Sequence, residues 1–389
     1  MSGTCSPAPA AAAPALTELL AQVDEAGAHR DGFPAGFVRQ IAATGLPGGM
    51  IAARHGGAGL GHAAFGEVNR TVAEVSPALQ SLFTVHGMVS RAVTRWGDAA
   101  LRQELLPMLA AGRCVAAFAL TEPGAGSDIR RISTSARPTP GGWVLDGRKT
   151  WVTFGQVADV FLVFAVADGR DLALVVRRDD PGVEVRAAAP ASGFRASRLA
   201  ELRLTQCAVD RGRLLGRPGT ALTHIATDAL TLGRLCVAYG AWGLARTALS
   251  AALRRSVTRH QFDGPLHGLQ LVRGLLADAG LAVEAAGLLC RRAGDALDRG
   301  DEWAVGHVLA AKLAASRAAS TAAAAAAQLH GADGLVEGGA VDRHLHDARV
   351  MELIEGNTQL LQHMVAEQLL ARFRDRAAVP PPEGGADAR

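Results

Sequence analysis

The chain has 389 residues, and 40 lysines and arginines against 37 aspartates and glutamates leave a formal net charge of +3. Apolar residues make up 49% and charged residues 20% of the sequence, which is the balance of a globular protein with a large core. These values argue against a disordered chain, a membrane protein and a nucleic-acid-binding arm, because neither long apolar runs nor blocks of like charge occur. A prior of roughly 150 residues per domain predicts two or three domains.

The basic residues are almost all arginine, and lysine occurs only at positions 149 and 312. The five cysteines are scattered and show no C-x-x-C spacing, so we predict neither a disulfide framework nor a metal site. A reducing, cytoplasmic environment fits this pattern. Residues 1–14 are rich in Ala and Pro and lack the charged and apolar regions of a signal peptide, so we expect a disordered leader.

Apolar periodicity divides the rest of the chain into three parts. Leucines at helical spacing occur over residues 15–113, short apolar runs separated by turn signals follow over 114–219, and helical texture returns over 220–375. Residues 376–389 contain three consecutive prolines and are predicted to form a disordered tail. We therefore expect an α+β protein with helical, β and helical domains in that order.

Turn signals in the middle part predict antiparallel strands. Asp146-Gly147 separates two strand-like runs and is typical of a two-residue hairpin turn, and Asp168-Gly169 closes the apolar run 160–167 in the same way. Strands at regular spacing with hairpin turns predict a small antiparallel barrel or sandwich.

Two glycine clusters, at 57–61 and 124–126, have an incomplete nucleotide-loop pattern, because His62 and Ile129 stand where G-x-G-x-x-G requires its last glycine. Their spacing alone favours tight turns, and no G-x-S-x-G nucleophile motif occurs. The segment 118–128 is more informative. It runs from a strand into a loop of small residues, hydroxyls and backbone N–H groups, which can bind the polar edge of a cofactor.

Five motifs in one order carry a family resemblance. They are F-A-L-T-E-P-G-A-G-S-D at 118–128, D-G-R-K-T-W-V-T at 146–153, T-R-H-Q-F at 258–262, Q-L-H-G-A-D-G at 328–334, and D-A-R followed by I-E-G-N-T-Q within 347–359. Together they resemble the motifs of the acyl-CoA dehydrogenase family. The resemblance implies an N-terminal helical domain, a middle antiparallel β-barrel and a C-terminal four-helix bundle.

The resemblance also implies an activity and its partners. Family members bind FAD non-covalently and remove the α-proton and the β-hydride of an acyl thioester, which coenzyme A or an acyl carrier protein delivers. The electrons pass to electron-transfer flavoprotein or another acceptor. We expect a homodimer or homotetramer, because one flavin-binding motif of the family acts from a neighbouring subunit. Nucleic-acid and membrane partners are not expected.

Glu355 matches the catalytic base of the family, and the local sequence favours that role. The periodic run before it ends at Glu355-Gly356, and Thr358 is expected to N-cap the next helix. Glu355 would then lie at a helix C-terminus, where the helix dipole disfavours a carboxylate and raises its pKa.

The resemblance assigns further residues to the cofactor and the substrate. Thr153 matches the hydroxyl that meets flavin N5, Trp151 packs against the ring, and Arg259 binds the pyrophosphate across subunits. The other expected cofactor contacts are Phe118, Leu120, Thr121, Gly126, Ser127, Phe262, Gln270, Gln328, Gly331, Asn357 and Gln359. The expected substrate contacts are Ser127, Arg234, Gly356 and His86. The alternatives are a helix-surface position for Arg234 and a satisfied buried position for His86.

Four residues depart from the family pattern, at Asp263, His346, Ile354 and Asn357. They leave the flavin site credible and argue against a housekeeping fatty-acid enzyme. Residues 80–89 resemble members that oxidise carrier-protein-bound three-carbon units for methoxymalonyl-type polyketide extenders. This branch predicts a short, polar substrate.

Three other functions compete with this interpretation. An acyl-CoA dehydrogenase of short or branched acyl-CoA catabolism would carry the same motifs. A flavin monooxygenase has the same fold but needs no glutamate base, so the presence of Glu355 argues against it. A DNA-binding protein similar to the alkylation-response relatives would need a basic face, which the near-neutral charge disfavours.

Overall fold

The structure is a computed structural model that describes residues 8–23, 27–28 and 32–378. Helix α1 (Ala8–Ala21) begins inside the predicted leader, so residues 8–14 are helical and the prediction of disorder is wrong for them. Alanine, which fills most of this stretch, is the strongest helix former. Residues 1–7 of the leader and 379–389 of the tail lie outside the described residues, and 376–378 end the last helix.

The N-terminal domain continues with α2 (Ala35–Ala43), α3 (His62–Val75), α4 (Pro77–Trp96) and α5 (Ala99–Ala110). The start of α4 is sharply defined, because the Ser76 side chain accepts a hydrogen bond from Leu79 N and proline follows at the first helical position.

Helix α4 touches all three domains. It packs against α3, α5 and the first strand, and also against the first helix of the C-terminal bundle. Every residue from Pro77 to Ser90 is buried. A polar side chain on this helix must therefore find a protein partner or face a cavity.

The middle domain contains eight strands in one sheet. Their bounds are β1 (Ala116–Ala119), β2 (Ser135–Thr139), β3 (Gly142–Val152), β4 (Val160–Ala167), β5 (Arg170–Arg177), β6 (Val183–Ala187), β7 (Ala200–Asp210) and β8 (Leu214–Leu215). The order is β6-β7-β3-β2-β4-β5-β8, with β1 beside β4.

The sheet corrects two details of the predicted antiparallel barrel. It is an open path of strands rather than a closed barrel, and β4 pairs in parallel with both β1 and β2. Parallel neighbours need a long crossover connection. Local hairpin signals could not reveal these pairings, since the partners are far apart in sequence.

The two predicted hairpin turns have different outcomes. Asp168-Gly169 does connect β4 to β5, with positive φ values of 48° and 74° that suit this turn. Asp146-Gly147 instead lies inside β3, where the pairing with β7 shifts at a bulge. The Asp146 carboxylate accepts hydrogen bonds from the backbone and side-chain nitrogens of Gln206, so these donors beside the bulge have an acceptor.

The C-terminal domain contains the long helices α6 (Thr227–Thr258), α7 (Gln270–Arg299) and α8 (Ala304–His330), with α9 (Ala340–Leu353) and α10 (Thr358–Ala378) packed on α8. A two-stranded hairpin, β9 (His260–Gln261) and β10 (Gly264–Pro265), joins α6 to α7. The largest core cluster includes residues from all three domains, so the cavities between them have fixed walls. None of the helices in the described ranges is long and apolar enough to cross a membrane.

Candidate active site

A cavity of about 760 Å³ lies where the three domains meet. Its walls come from α4, from the loop after β1, from the end of β3, from α6 and from the turn between α9 and α10. Ten of the predicted site residues line it: Phe118, Leu120, Thr121, Gly126, Ser127, Trp151, Thr153, Arg234, Glu355 and Gly356. Residues separated by more than 200 positions in the chain therefore share one site.

The loop after β1 is held by a buried ion pair. Lys149 Nζ donates to Glu122 Oε1 at 2.6 Å and to Leu120 O at 3.3 Å, and the lysine is fully buried. The same carboxylate accepts hydrogen bonds from the backbone nitrogens and hydroxyls of Ser133 and Thr134. This network fixes the backbone of the loop that faces the cavity.

Both members of this ion pair have shifted pKa values. Burial opposes ionisation of Glu122, but the hydrogen bonds from Lys149, Thr134 and Ser133 outweigh it and lower the pKa of Glu122 to about 2. Burial lowers the pKa of Lys149 to about 8, although Glu122 opposes the shift. The pair is therefore charged at neutral pH.

The end of β3 presents Trp151 and Thr153 to the cavity. The pairing with β7 shifts between Lys149 and Val152, and Trp151 takes a positive φ of 57° at this bulge. Its indole remains 55% exposed, which is unusual for so large an apolar side chain beside a cavity. Thr150 N donates to Thr121 O at 2.9 Å, so the strand end and the loop form one surface.

That surface fits a flavin ring. A flat apolar face at Trp151, backbone polar groups at Leu120 and Thr121, and a hydroxyl at Thr153 border the same cavity. Gly126 has open space on the side where a Cβ would project, so a bound group can approach its backbone closely.

The turn that carries Glu355 is strained. Helix α9 ends at Leu353, and Glu355 and Gly356 then adopt positive φ values of 54° and 99°. A left-handed conformation is costly for a non-glycine residue and persists only where the surroundings impose it. Asn357 Oδ1 accepts from Leu360 N at 2.9 Å, so Asn357 caps α10, and the prediction that Thr358 does so is wrong by one residue.

Two buried cations hold this turn through its carbonyl groups. Arg234 Nε donates to Glu355 O at 3.0 Å. Lys312 Nζ donates to Gly356 O at 2.7 Å and to Glu352 O at 3.4 Å. Cations at carbonyls that follow a helix C-terminus are favourable, because they satisfy free acceptors and interact with the helix dipole.

One oxygen of the Glu355 carboxylate is removed from water. Its Oε2 is inaccessible and has no hydrogen-bond donor in the described part of the chain, although the residue as a whole is only partly buried. A Cβ built on Gly233 would lie 2.5 Å from Oε2 and 2.8 Å from Met88 Sδ, so only glycine leaves room for the carboxylate there. Burial raises the pKa of Glu355 to about 7, against the opposing charges of Arg234 and Lys312.

His86 does not belong to the site, and its prediction as a substrate contact is wrong. The ring is fully buried; Nε2 lies 3.1 Å from Leu109 O, and Nδ1 accepts from Ala116 N at 3.3 Å. Both ring nitrogens therefore have backbone partners. Burial lowers the pKa of His86 to about 4, so it is a neutral core residue.

The remaining predicted cofactor residues lie outside this cavity. Asn357 Nδ2 donates to Ser127 Oγ at 3.2 Å, which ties the α10 cap to the loop after β1. Six others are exposed on the C-terminal domain: Arg259, Phe262, Gln270, Gln328, Gly331 and Gln359. Phe262 is 87% exposed, far more than an isolated fold would favour for phenylalanine.

Sequence reasoning missed the residues that support the site. Glu122, Lys149 and Lys312 touch the loops that form the cavity rather than the cavity itself. One signal was present: in a chain whose cations are nearly all arginine, the two lysines are both fully buried. Their compact ammonium groups fit among backbone carbonyls where a planar guanidinium would not.

Family models match three successive regions of the chain. They are the acyl-CoA dehydrogenase N-terminal domain over residues 10–113, the middle domain over 117–207 and the C-terminal domain over 223–370. The chain belongs to the acyl-CoA dehydrogenase family. The predicted family and its three-domain architecture are thereby confirmed.

Individual relatives agree with this assignment. The human mitochondrial short-chain specific acyl-CoA dehydrogenase is 32% identical over 366 residues, which are 92% of this chain and 87% of that protein. Among solved structures, butyryl-CoA dehydrogenase from Megasphaera elsdenii is 25% identical with a TM-score of 0.87, and covers 95% of this chain and 100% of its own. Members of the family are FAD-dependent oxidoreductases that act on CH–CH bonds, and this chain is one of them.

A second solved structure agrees with the branch that residues 80–89 indicated. FkbI, a protein for biosynthesis of the methoxymalonyl extender unit of a polyketide immunosuppressant, is 35% identical with a TM-score of 0.84. The match covers 92% of this chain and 98% of that chain.

Because Lys149 belongs to a buried ion pair, replacing it should destabilise the fold far more than replacing its neighbour on β3. Replacing Lys149 by Met leaves the Glu122 carboxylate buried without its charge partner, and we expect the free energy of unfolding to fall by about 3–5 kcal/mol. The matched control is Arg148→Met, the neighbouring residue, whose ion pair with Glu201 is half exposed. We expect it to cost about 0–1 kcal/mol. Urea titration of both variants measures the difference; equal losses would contradict the role given to the Glu122–Lys149 pair.

Proposed function

We propose that this protein removes two hydrogens from the α and β carbons of a short acyl thioester, with Glu355 as the general base. The observation that carries the proposal is the Glu355 carboxyl group, which faces the same cavity as Thr153 and the loop after β1. A base with a pKa near the working pH is the most effective, and burial brings Glu355 into that range.

FAD, when bound, supplies the hydride acceptor. Leu120, Thr121 and Thr153 offer backbone and hydroxyl groups to the polar edge of its ring, Trp151 offers a flat face, and Ser127 follows on the same loop. Arg259 is proposed to bind the pyrophosphate of the FAD of a second subunit. Phe262, Gln270 and Gln328 are proposed to bind its adenosine half, and Gly331 is proposed as a further cofactor contact. Their exposure supports these roles, as does the large apolar surface of Phe262.

The chain's own groups control the proton at Glu355 Oε2. Exclusion from water raises the proton affinity of the carboxylate, and the cations Arg234 and Lys312 limit that rise. Their hydrogen bonds to Glu355 O and Gly356 O also hold the side chain in the left-handed turn from which it reaches the cavity. The protein thus sets both the proton affinity and the position of the Glu355 carboxylate before the substrate binds.

The substrate is proposed to be a short acyl group that an acyl carrier protein or coenzyme A delivers, in secondary metabolism of the polyketide-extender type. The likeness to FkbI supports the extender-unit context, while the short-chain relatives support a short acyl group. Ser127, Arg234 and Gly356 border the cavity where a thioester would lie. Electron-transfer flavoprotein or another acceptor would reoxidise the enzyme.

Replacing Glu355 by Gln tests the base directly. The amide keeps the shape of the side chain but cannot take the α-proton, so we expect flavin reduction to slow by about 10²- to 10⁴-fold while FAD stays bound. The measurement is flavin bleaching after anaerobic mixing of the holoenzyme with acyl thioesters. The matched control is Glu352→Gln, in the last turn of α9, whose side chain pairs with Arg349 and should leave the rate unchanged. A normal rate in Glu355→Gln would rule out the proposed base.

Replacing Lys312 by Gln tests the electrostatic part of the mechanism. The amide keeps a hydrogen-bond donor but carries no charge, so the pKa of Glu355 should rise and the midpoint of the pH–rate profile should move to higher pH. Above about pH 8, where Lys312 itself loses its proton, the profiles of the two proteins should converge. Reduction rates across pH 5 to 10 measure this; a midpoint that moves to lower pH or stays in place would refute it.

A further inference from the structure

Two hydroxyl side chains of α4 face the cavity from the same wall. Ser81 and Thr84 both line it, one helical turn apart, and both are almost completely buried, at 5% and 4% exposure. Val85 lines the cavity beside them, and Leu230 and Val237 of α6 add apolar surface. Buried hydroxyls in an apolar wall are costly unless they find hydrogen-bond partners.

The oxygen of the Thr84 hydroxyl already accepts a hydrogen bond. Gln80 Nε2 donates to Thr84 Oγ1 at 2.7 Å, to Asn69 Oδ1 at 2.6 Å and towards Cys236 O at 3.2 Å. The orientation of the Gln80 amide is fixed, because the backbone carbonyl of Cys236 can only accept. Asn69 is fixed in turn, since its Nδ2 donates to Phe65 O at 2.8 Å.

Thr84 therefore has a hydrogen to donate. Its acceptor within the protein is Gln80 O at 3.5 Å, well beyond the 2.5–3.0 Å of a good O–H···O hydrogen bond. Because Gln80 already donates to Oγ1, the hydrogen is the part of the Thr84 hydroxyl that remains available to a ligand.

The Ser81 hydroxyl differs from that of Thr84, because it already acts as a donor. It donates to Ala78 O at 2.6 Å, which uses its one hydrogen. The lone pairs of Ser81 Oγ remain able to accept. The cavity wall thus places an acceptor at Ser81 and a donor at Thr84, and a hydroxyl group can satisfy both at once, since it donates one hydrogen bond and accepts another.

We propose that Ser81 and Thr84 are specificity-determining residues that bind a hydroxyl group at the end of the acyl chain, so that the preferred substrates are short hydroxyacyl thioesters. The proposal rests on the dehydrogenase function proposed above and names its substrate class. An alkyl chain of the same size would leave the lone pairs of Ser81 Oγ and the hydrogen of the Thr84 hydroxyl without a good partner in the cavity.

The position of the pair limits the length of the acyl group. Met88 Sδ and the Glu355 carboxylate meet at Gly233, which marks the level where the α-proton would leave. Thr84 precedes Met88 by four residues on α4, a rise of ~6 Å. Only a few carbons fit between an α-carbon at Glu355 and a hydroxyl at Thr84.

The test compares thioesters of equal size in the holoenzyme. The pairs are 3-hydroxypropionyl with butyryl, and 4-hydroxybutyryl with pentanoyl, each offered on coenzyme A and on a carrier protein. We expect kcat/KM for flavin reduction to favour the hydroxylated member of at least one pair by about 10- to 100-fold. Thr84→Val, which keeps the shape but has no hydroxyl, should abolish most of that preference and improve the alkyl substrate.

Ser81→Ala provides a second variant if Thr84→Val does not fold, and it too should lower the preference. Thr94→Val is the matched control: its hydroxyl donates to Ser90 O on the same helix, outside the cavity, and the preference should not change. An equal or greater kcat/KM for both alkyl substrates in the wild type would overturn the proposal, as would an unchanged preference in the two variants. In either case a slow Glu355→Gln would leave the dehydrogenase function intact, whereas a normal rate in Glu355→Gln would refute that function first.

Discussion

The structure depends on one costly arrangement, a carboxylate oxygen kept out of water without a hydrogen-bond donor. In the described residues, Glu355 Oε2 has no donor, and Oε2 and Met88 Sδ both lie within 3 Å of the point where a Cβ on Gly233 would project. An unsatisfied buried polar group is destabilising, and a left-handed backbone at the same residue adds strain. Such a site persists only when the surrounding fold overcomes both costs, and each nearby feature can be understood as part of that support.

The support comes from side chains that bind the backbone around the site. Arg234 and Lys312 bind the carbonyls of the turn and so fix the backbone, while their charges keep the proton affinity of Glu355 from rising further. On the opposite side of the cavity, the Glu122–Lys149 pair fixes the loop after β1. Asn357 connects the two sides through Ser127. Burial alone would give a carboxyl group that stays protonated at neutral pH; burial together with two cations gives one that can exchange its proton.

The sequence motifs identified Glu355 and the expected flavin contacts, but not the other side chains that line the cavity. Short linear patterns identified Glu355, Thr153 and the loop after β1, because each set of residues is contiguous in the chain. His86 was assigned wrongly because α4 is buried on all sides, so helical periodicity could not show which of its residues face the cavity. The hydroxyls that do face it, Ser81 and Thr84, precede His86 by five and two positions.

Other differences between prediction and structure also arise from contacts between residues that are distant in sequence. Asp146-Gly147 has the composition of a turn, yet Gln206 on β7 converts it into a bulge within β3. The parallel neighbours of β4 and the partners of Lys149 and Lys312 are equally distant. The Asn357 cap was displaced by one residue because asparagine and threonine both cap helices well. Local patterns thus predicted the type of most elements, and tertiary contacts decided how they pair.

The most direct measurement is the titration of the Glu355 carboxyl group itself, by infrared difference spectroscopy of the holoenzyme with Glu355→Gln as the reference. The carbonyl stretch of the protonated acid should disappear with a midpoint near pH 7, because burial outweighs the two cations. A midpoint near the ordinary value of 4.5 would mean that water reaches the carboxylate, and the proposed base would then have neither the environment nor the proton affinity on which the mechanism depends.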